Sequence, residues 1–588
     1  MKASEYLGEK GVFSEHVEGY KVRESQLALS DAIEQAILNQ NVLIAEAGTG
    51  IGKTFAYLVP AITSNKKVII STGTKHLQDQ LFHTDIPRVV KALDMPVKIA
   101  LLKGRANYVC LHRLQIAPHL GFMNKITQSQ LAEVNQWTGV TTSGDVAELS
   151  SIQEDSYVWP MVTSTADNCL GSECDYYNDC FIVKARKKAQ EADVLVINHH
   201  LLLADMTLKE EGFAELLPGA DAFVIDEAHQ LQEIASNYFG DTLSSRQLIL
   251  LGRDSIAEQV NDAPDMTDIR DCAEQVEKAA QDVRIALGDS GVKQAWSAIK
   301  YKPALVSYLD ELISALSDLS STLEPASERS RALDQCYQRC LILLQRAELF
   351  KKDNELAEAS NCILWYETFT KSFVLHSTPI EISNLLKKYT NNFSAAWIFT
   401  SATLQVNEKF NYFSEALGLE DFESGSWQSP FDYEQHSLLY LPEGLPEPSD
   451  YSYTHSLLEK VLPVLEASHG GAFLLFTSYR AMNEAKEFLR GKIDSVILTQ
   501  GDLPKHLLLA RFREIGDAIL LGTSSFWEGV DVRGRALSCL MIDKLPFASP
   551  GDPVMQARID AIKQNGGQPF MDYQVPRAVI ALNQGSGV

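Results

Sequence analysis

The sequence is short of positive charge, of cysteine and of long apolar runs, and each shortage narrows what the chain can be. Its 588 residues include 52 Lys and Arg against 77 Asp and Glu, for a formal net charge of −25 and a pI near 5.0. That balance argues against global attraction to nucleic acid, so any nucleic-acid path must be a local basic track on an acidic body. Lys66-Lys67, Lys103 with Arg105, and Lys184-Arg186-Lys187-Lys188 are candidates, although each run taken singly reads as solvated surface. Nine cysteines, an odd number in so long a chain, argue for reduced thiols or metal ligands and against a disulfide framework. The opening MKASEYLGEKGVF has no apolar core of signal-peptide length, and no uninterrupted apolar stretch is long enough to cross a bilayer. A cytoplasmic protein without membrane contact is the expectation. Hydrophobic residues at 45% and charged residues at 22% describe an ordinary globular chain. Its length predicts about three or four domains.

What is present begins at residues 42–54, VLIAEAGTGIGKT. The apolar run Val42-Leu43-Ile44 predicts a buried strand, and Ala47-Gly48-Thr49-Gly50-Ile51-Gly52-Lys53-Thr54 predicts a phosphate-binding loop that opens a helix. Glycines let the backbone N–H groups turn inward onto phosphate oxygens, and the following helix adds the positive end of its dipole. Lys53 then reaches the β- and γ-phosphates, and the Thr54 hydroxyl holds Mg²⁺. A glycine-rich strand-to-helix turn without nucleotide has the same look. The second signal, AFVIDEAH at 222–229, separates the two. Four apolar residues make a second buried strand whose C-terminal end carries two carboxylates, where open parallel sheets place their ligands. Asp226 suits the Mg²⁺ shell, Glu227 can polarise the attacking water, and His229 belongs to the same nucleotide site. Upstream, Tyr20, Arg23 and Gln26 precede a helix face of Leu29, Ile33 and Ile37. A glutamine there can read an adenine edge, although a lone glutamine is ordinarily polar surface.

Further along, a strand at 68–74 ends in small hydroxyl residues, Thr72 and Thr74 among them, which suit a phosphate backbone and carry no sequence information. Cys110, Cys169, Cys174 and Cys180 follow, separated by 58, 4 and 5 residues in polar surroundings. Such thiolates could hold a structural Zn²⁺ or an iron–sulfur cluster, and the spacing leaves both open. A strand at 194–197 ends in His199-His200, which read as structural residues or nucleotide-state sensors. From about 243 to 354 the pattern is helical, with Leu305, Tyr308, Leu309, Leu312, Ile313, Leu316 and Leu319 on one face and Leu333, Tyr337, Cys340, Leu341 and Leu344 on another. A strand at 396–399 runs into Thr400-Ser401-Ala402-Thr403. After a Pro- and Glu-rich linker at 441–450, strands at 472–476, 495–499, 518–521 and 539–542 predict a second α/β sheet, with Thr477 and Thr523 at strand ends and no phosphate-binding loop of its own.

In order, AGTGIGKT, STGTKHLQDQL, LKGRANYVC, the loop of Cys169, Cys174 and Cys180, VINHHLLL, DEAH, TSATL, SPFDY, LFTSY and LLGTSSFWEGVDVRG span essentially the whole chain. This set resembles the DinG/XPD group of superfamily 2 helicases, and within it is most similar to the bacterial YoaA subfamily. The resemblance implies an α/β protein of two RecA-like P-loop motor domains, with an iron–sulfur cluster domain and a mostly helical Arch domain inserted in the first. The implied boundaries are 1–104, 189–240 and 386–440 for the first motor domain, 105–188 for the iron–sulfur domain, 241–385 for the Arch and 441–588 for the second motor domain. It also implies ATP-driven 5′-to-3′ movement on single-stranded DNA by a monomeric, nucleoid-associated motor, a role at damaged replication forks, and association with the chi subunit of the clamp loader. It turns the cysteine question toward a [4Fe–4S] cluster on Cys110, Cys169, Cys174 and Cys180. Carried over residue by residue, Gln26 faces adenine, Lys53 and Thr54 meet phosphates and Mg²⁺, Asp226 binds the metal and Glu227 the water. Thr72, Thr74, Thr477 and the segment from Thr523 to Asp531 contact DNA or couple its position to the ATP cleft.

One departure bears on activity. The family's last motif runs from a Q-G-x-G core into Arg-Leu-Ile-Arg, and here Gln584-Gly585-Ser586-Gly587 is followed by Val588. Arg577 precedes that turn on the helix leading into it, facing elsewhere. An arginine acting on the transferring phosphoryl group is worth roughly 10³–10⁵-fold in rate. Either the chain is a fragment or truncated product of a longer gene, or the protein binds ATP·Mg²⁺ and DNA without hydrolysing ATP well. An ATP-dependent DNA helicase is the leading expectation and a hydrolysis-impaired fork-binding protein the alternative, and the 588-residue chain as given is expected to turn ATP over slowly. DNA-stimulated ATPase of the 588-residue chain should therefore fall orders of magnitude below that of a version extended through Arg-Leu-Ile-Arg; equal turnover would show that another residue supplies the charge.

Overall fold

The computed structural model describes residues 2–17, 19–119, 124–210, 216–351, 361–392, 394–523, 526–527, 532, 536–548 and 551–586. Strands β1 (Val42–Ala47), β2 (Val68–Thr72), β3 (Ile99–Leu101), β4 (Val194–Asn198) and β5 (Ala222–Asp226) come first. Four strands then form a separate antiparallel sheet: β6 (Asp241–Ser244), β7 (Lys293–Ala295), β8 (Cys362–Thr368) and β9 (Phe373–Pro379), in the order β6-β9-β8-β7. The chain returns with β10 (Ala396–Ser401) and β11 (Glu423–Trp427) to complete a seven-stranded parallel sheet, β11-β1-β10-β5-β2-β4-β3. A second parallel sheet, β13-β14-β12-β15, uses β12 (Ala472–Leu475), β13 (Ile497–Thr499), β14 (Ile519–Gly522) and β15 (Cys539–Ile542).

Strands β2, β4, β5 and β10 are buried at every position. This is why their sequences are continuous apolar runs and do not alternate: helices cover both faces of the sheet. Alternate side chains go to opposite cores. Ile70, Val196, Val224 and Ile398 pack with the P-loop helix Lys53–Thr63, whereas Ile69, Leu195, Phe223 and Trp397 face a core shared with the cysteine-bearing segment through Val109, Val162 and Phe181. Phe223 and Trp397 stack there with centroids 4.2 Å apart and planes 6° from parallel.

The apolar strands sit where their sequences predict them. Strand β11, ESGSW, is polar and partly exposed, and β7 has three residues, KQA, so neither carries a hydrophobic signal. The insertion after β6 is helical as its periodicity predicts, with helices Ser245–Asp262, Asp268–Ala286, Pro303–Ser327 and Arg331–Lys351 around one core. Leu305, Leu309, Leu312, Leu316 and Leu319 are buried, but Leu341, placed by its spacing on an apolar face, is 36% exposed. The antiparallel sheet at the base of this insertion is an element that the helical reading did not include. Among the described residues no helix is long and apolar enough to cross a membrane. Trp397→Ala should cost the first motor domain about 3–5 kcal/mol; an unmoved urea transition, followed by intrinsic fluorescence, would show that the Phe223 stack does not hold its core.

Candidate nucleotide and cysteine sites

Strand β1 delivers the P-loop to the helix Lys53–Thr63 through Gly50 at φ 80° and Gly52 at φ 87°, both in the left-handed region that favours glycine. A Cβ on Gly52 would stand 2.4 Å from Gln26 Nε2, and one on Gly50 would meet the Phe431 ring. Gln26 is fully buried. Its Nε2 donates to Gly52 O at 3.0 Å and its Oε1 accepts from the Tyr20 hydroxyl at 2.6 Å, so its amide supports the P-loop backbone. The SPFDY segment covers the other side: Ser429 Oγ donates to Thr49 O at 2.8 Å, and the Tyr433 hydroxyl lies 3.0 Å from Thr49 Oγ1.

Parallel register places the ends of β1, β10 and β5 side by side, with Glu46 opposite Ser401 and Thr400 opposite Asp226. Lys53 Nζ lies 3.0 Å from Glu227 Oε1. Burial works against the charge on Lys53, but Glu227 and Asp226 outweigh it and hold the ammonium above its usual range. Burial also opposes the Glu227 charge, and the neighbouring Lys53 reverses that effect, so its carboxyl titrates below its usual range. Asp226 is pushed up to about 6, by burial first and the Glu227 charge second. The Tyr57 hydroxyl donates to Asp226 Oδ2 at 3.1 Å and also interacts with Thr54, so the structure brings Thr54 and Asp226 together. Glu227 has φ 53°, a left-handed conformation that a non-glycine residue adopts only at some cost.

Sequence reasoning singled out Ser401 and Thr403 only as part of a motif and missed Tyr57 and Glu46. His229 Nδ1 lies 2.8 Å from Ser401 Oγ, and Gln584 Nε2 donates to Thr403 Oγ1 at 3.0 Å and to Ser401 Oγ at 3.3 Å. Gln584 and Gly585 are helical, within Val575–Ser586, where the sequence suggested a turn. Arg577 is committed elsewhere, to Glu233 at 3.1 Å and the Tyr573 hydroxyl at 2.9 Å. Glu46 Oε2 accepts from Leu404 N and Gln405 N, both at 2.6 Å, tying β1 to the segment after β10. His199 is buried against Ser71 Oγ at 2.7 Å, and burial together with His229 lowers it to about 3, so it stays neutral.

The four threonines divide. Thr74 and Thr477 are exposed; Thr72 and Thr523 are buried. Thr523 donates through N and Oγ1 to Gln500, and Thr477 does the same to Asp543. Most of the stretch from Ser524 to Asp531 lies outside the described residues. One basic candidate is corrected: Lys103 is buried between Asp79 at 2.7 Å and Asp145 at 2.8 Å, so its charge is spent inside the protein and cannot serve a phosphate track.

Cys110, Cys169, Cys174 and Cys180, far apart in sequence, line one cavity of about 500 Å³ with Arg105, Tyr177 and Arg186. All four are unbridged and half-buried. Burial pushes the Cys110 thiol up to about 11, and the other three thiols add to the shift. Arg186, whose charge is opposed by burial and by Arg105, is favoured by Cys169 and Cys180, and among the described residues its buried Nε has no acceptor. Burial thus favours the neutral Cys110 thiol, and two arginines, Arg105 and Arg186, line the cavity beside the four sulfurs. Among the described residues no group of three or more His, Cys, Asp or Glu side chains is placed to hold one metal ion.

Gly52→Ala should weaken ATP binding at least roughly tenfold, because the left-handed backbone costs an L-residue about 1–2 kcal/mol and Gln26 must also move. Calorimetric titration with a non-hydrolysable ATP analogue checks this, and unchanged affinity would show that Gln26 yields freely.

The chain matches a DEAD/DEAH box helicase model at residues 29–123 and a helicase C-terminal domain model at 461–587. It is 43% identical over 578 residues to the ATP-dependent DNA helicase YoaA of Escherichia coli, covering 98% of this chain and 90% of that protein. The Haemophilus influenzae YoaA helicase is also 43% identical, with the same coverage. The ATP-dependent helicase DinG of Mycobacterium tuberculosis is 34% identical, covering 96% and 88%. A solved XPD helicase aligns over 96% of this chain and 93% of its own, with a TM-score of 0.53 at 15% identity, a likeness of fold. A P-loop lysine facing a DEAH glutamate, a helix beyond the second sheet whose Gln584 reaches into the same site, and this kinship along nearly the whole length agree: the chain belongs to the YoaA/DinG family of ATP-dependent DNA helicases.

Proposed function

We propose that the protein is a monomeric motor that moves 5′ to 3′ along single-stranded DNA and opens forked duplexes during replication-fork repair, at the nucleoid. The observation that carries the motor reading is the reach of Gln584, beyond the second sheet, to Ser401, Thr403 and His229 beside the first. A nucleotide entering between Lys53 and Glu227 must break their ion pair. Lys53 turns to the β- and γ-phosphates, and Glu227 is released to orient the water and take its proton. The same rearrangement disturbs His229 and Ser401, and through them Gln584, so the grip of one sheet on the other follows the nucleotide. Thr54 and Asp226 would hold Mg²⁺, which neutralises phosphate charge when bound. Polarity, the fork role and association with the chi subunit are supported by the family resemblance.

The cysteine cavity would hold a [4Fe–4S] cluster on Cys110, Cys169, Cys174 and Cys180. Its volume and the buried Arg186 Nε, which has no acceptor among the described residues, suit a multi-atom anionic group better than a single ion. A bound cluster would add covalent tethers between segments that are otherwise joined by packing and a few hydrogen bonds, Tyr176 to Gln115 among them. The residues' own part is to gather the sulfurs and oppose them with Arg105 and Arg186.

Lys53→Ala should abolish ATP hydrolysis and spare DNA binding, whereas Glu227→Gln should retain ATP without turning it over. Anaerobically purified protein should be brown with about four irons per chain, and Cys174→Ser should bleach it and reduce unwinding more than ATP binding. Zinc without iron would overturn the cluster, and unwinding of duplexes bearing only a 3′ tail would overturn the polarity.

A further inference from the structure

The helical insertion meets the cysteine-bearing segment through a stripe of polar contacts beside the buried Ala257. On the helix Arg331–Lys351, residues 331, 335 and 339 recur every fourth position along one face. Arg331 Nε lies 3.8 Å from Glu173 Oε1, Gln335 Nε2 donates to Asp167 O at 3.0 Å, and Arg339 Nη1 lies 2.7 Å from Asp254 Oδ2. Asp254, on the neighbouring helix Ser245–Asp262, also accepts from Arg113 Nη1, and one turn on Glu258 pairs with His112 Nε2 at 3.1 Å. Asp254 and Arg113 are each only 2% exposed.

The partners on the cysteine side share one property. His112 and Arg113 open the helix that follows Cys110, Asp167 lies two residues before Cys169, and Glu173 directly precedes Cys174. The Arg113 backbone N–H itself reaches the Cys110 thiol. Tyr176 donates to Gln115 at 2.8 Å, tying the Cys174 loop to the Cys110 helix. The joint is also incompletely satisfied: among the described residues the buried Nε and Nη2 of Arg113 have no acceptor. Leaving charged donors unpaired in a core is costly, so the joint is held less firmly than a fully paired one.

We propose that Asp254, held between Arg113 and Arg339, is the positioning residue through which the group bound by the four cysteines sets the order of the helical insertion. With the group in place the Cys110 helix and the Cys169–Cys174 loop are held in one arrangement, and Asp254 transmits it to helices Ser245–Asp262 and Arg331–Lys351. Once the group is lost, the stripe loosens and these two helices open more readily, while Asp268–Ala286 and the second sheet do not. The inference rests on the reading that the cysteines bind a metal group.

The test is amide hydrogen exchange on the full chain, purified anaerobically with its iron and visible absorption measured, before and after the metal is stripped by chelation. Stripping the wild-type protein should raise exchange about tenfold in the two stripe helices and leave Asp268–Ala286 unchanged. Asp254→Asn should show raised exchange already when loaded and should lose most of the response to stripping, a change that a residue of merely structural role would not produce. If Asp254→Asn does not fold, the rim variant Arg331→Ala/Gln335→Ala carries the test, and its response should shrink to less than half. Protein containing iron whose two stripe helices do not respond to stripping, or a variant with the full response, would overturn the proposal alone. Protein purified without any metal would overturn both the proposal and the metal-binding reading on which it rests.

Discussion

The ion pair between Lys53 and Glu227 is the contact on which the nucleotide site turns. Burial opposes both charges, and each is favoured first by the other, with Asp226 adding to the hold on Lys53 and His229 to that on Glu227. The pair therefore satisfies both groups within the protein. Its position follows from parallel pairing. Strands β1, β10 and β5 run in one direction, so the residues at their C-terminal ends, from the P-loop, the Thr400-Ser401 motif and the DEAH motif, meet at one edge.

Around this edge the protein accepts local strain. Glu227 is held in a left-handed conformation, and its carboxylate lies near Lys53, His229 and Ser401 at once. Glu46 accepts two backbone N–H groups from the segment after β10, which fixes the two strands' ends relative to each other. Charged groups used this way are fully committed inside the fold. The same rule removes Lys103 from any DNA track, because a buried ammonium needs its carboxylates more than it can serve a phosphate.

The two insertions meet each other as well as the sheet. The cysteine-bearing segment shares the core that Phe223 and Trp397 face, and its polar side meets the helical insertion at Asp254. The helix Pro553–Gln564, beyond the second sheet, adds a contact of its own: Arg558 donates to Ile380 O at 3.3 Å and Ser236 Oγ at 2.6 Å, and Lys293 of β7 pairs with Asp552 at 2.5 Å. The base of the insertion is thus tied to both halves of the motor.

The sequence by itself determined the buried strands, the phosphate loop, the acidic pair and the helical character of the insertion, because each is a local pattern: an apolar run, glycines at positive φ, a 3.6-residue period. It carried little of β11 or β7, whose residues are polar and whose pairing comes only from a neighbouring strand's free edge. It named the cysteines but could not show that Cys110 and Cys169, with 58 residues between them, share a cavity with Arg186. Nor could it show that Gln26 spends its amide on Gly52 and Tyr20, that Tyr57 interacts with both Thr54 and Asp226, or that Gln584 reaches Ser401. Those are decided by tertiary structure, for one physical reason: a buried polar group must find a partner, and the partner is whichever group the packing of distant segments brings within reach.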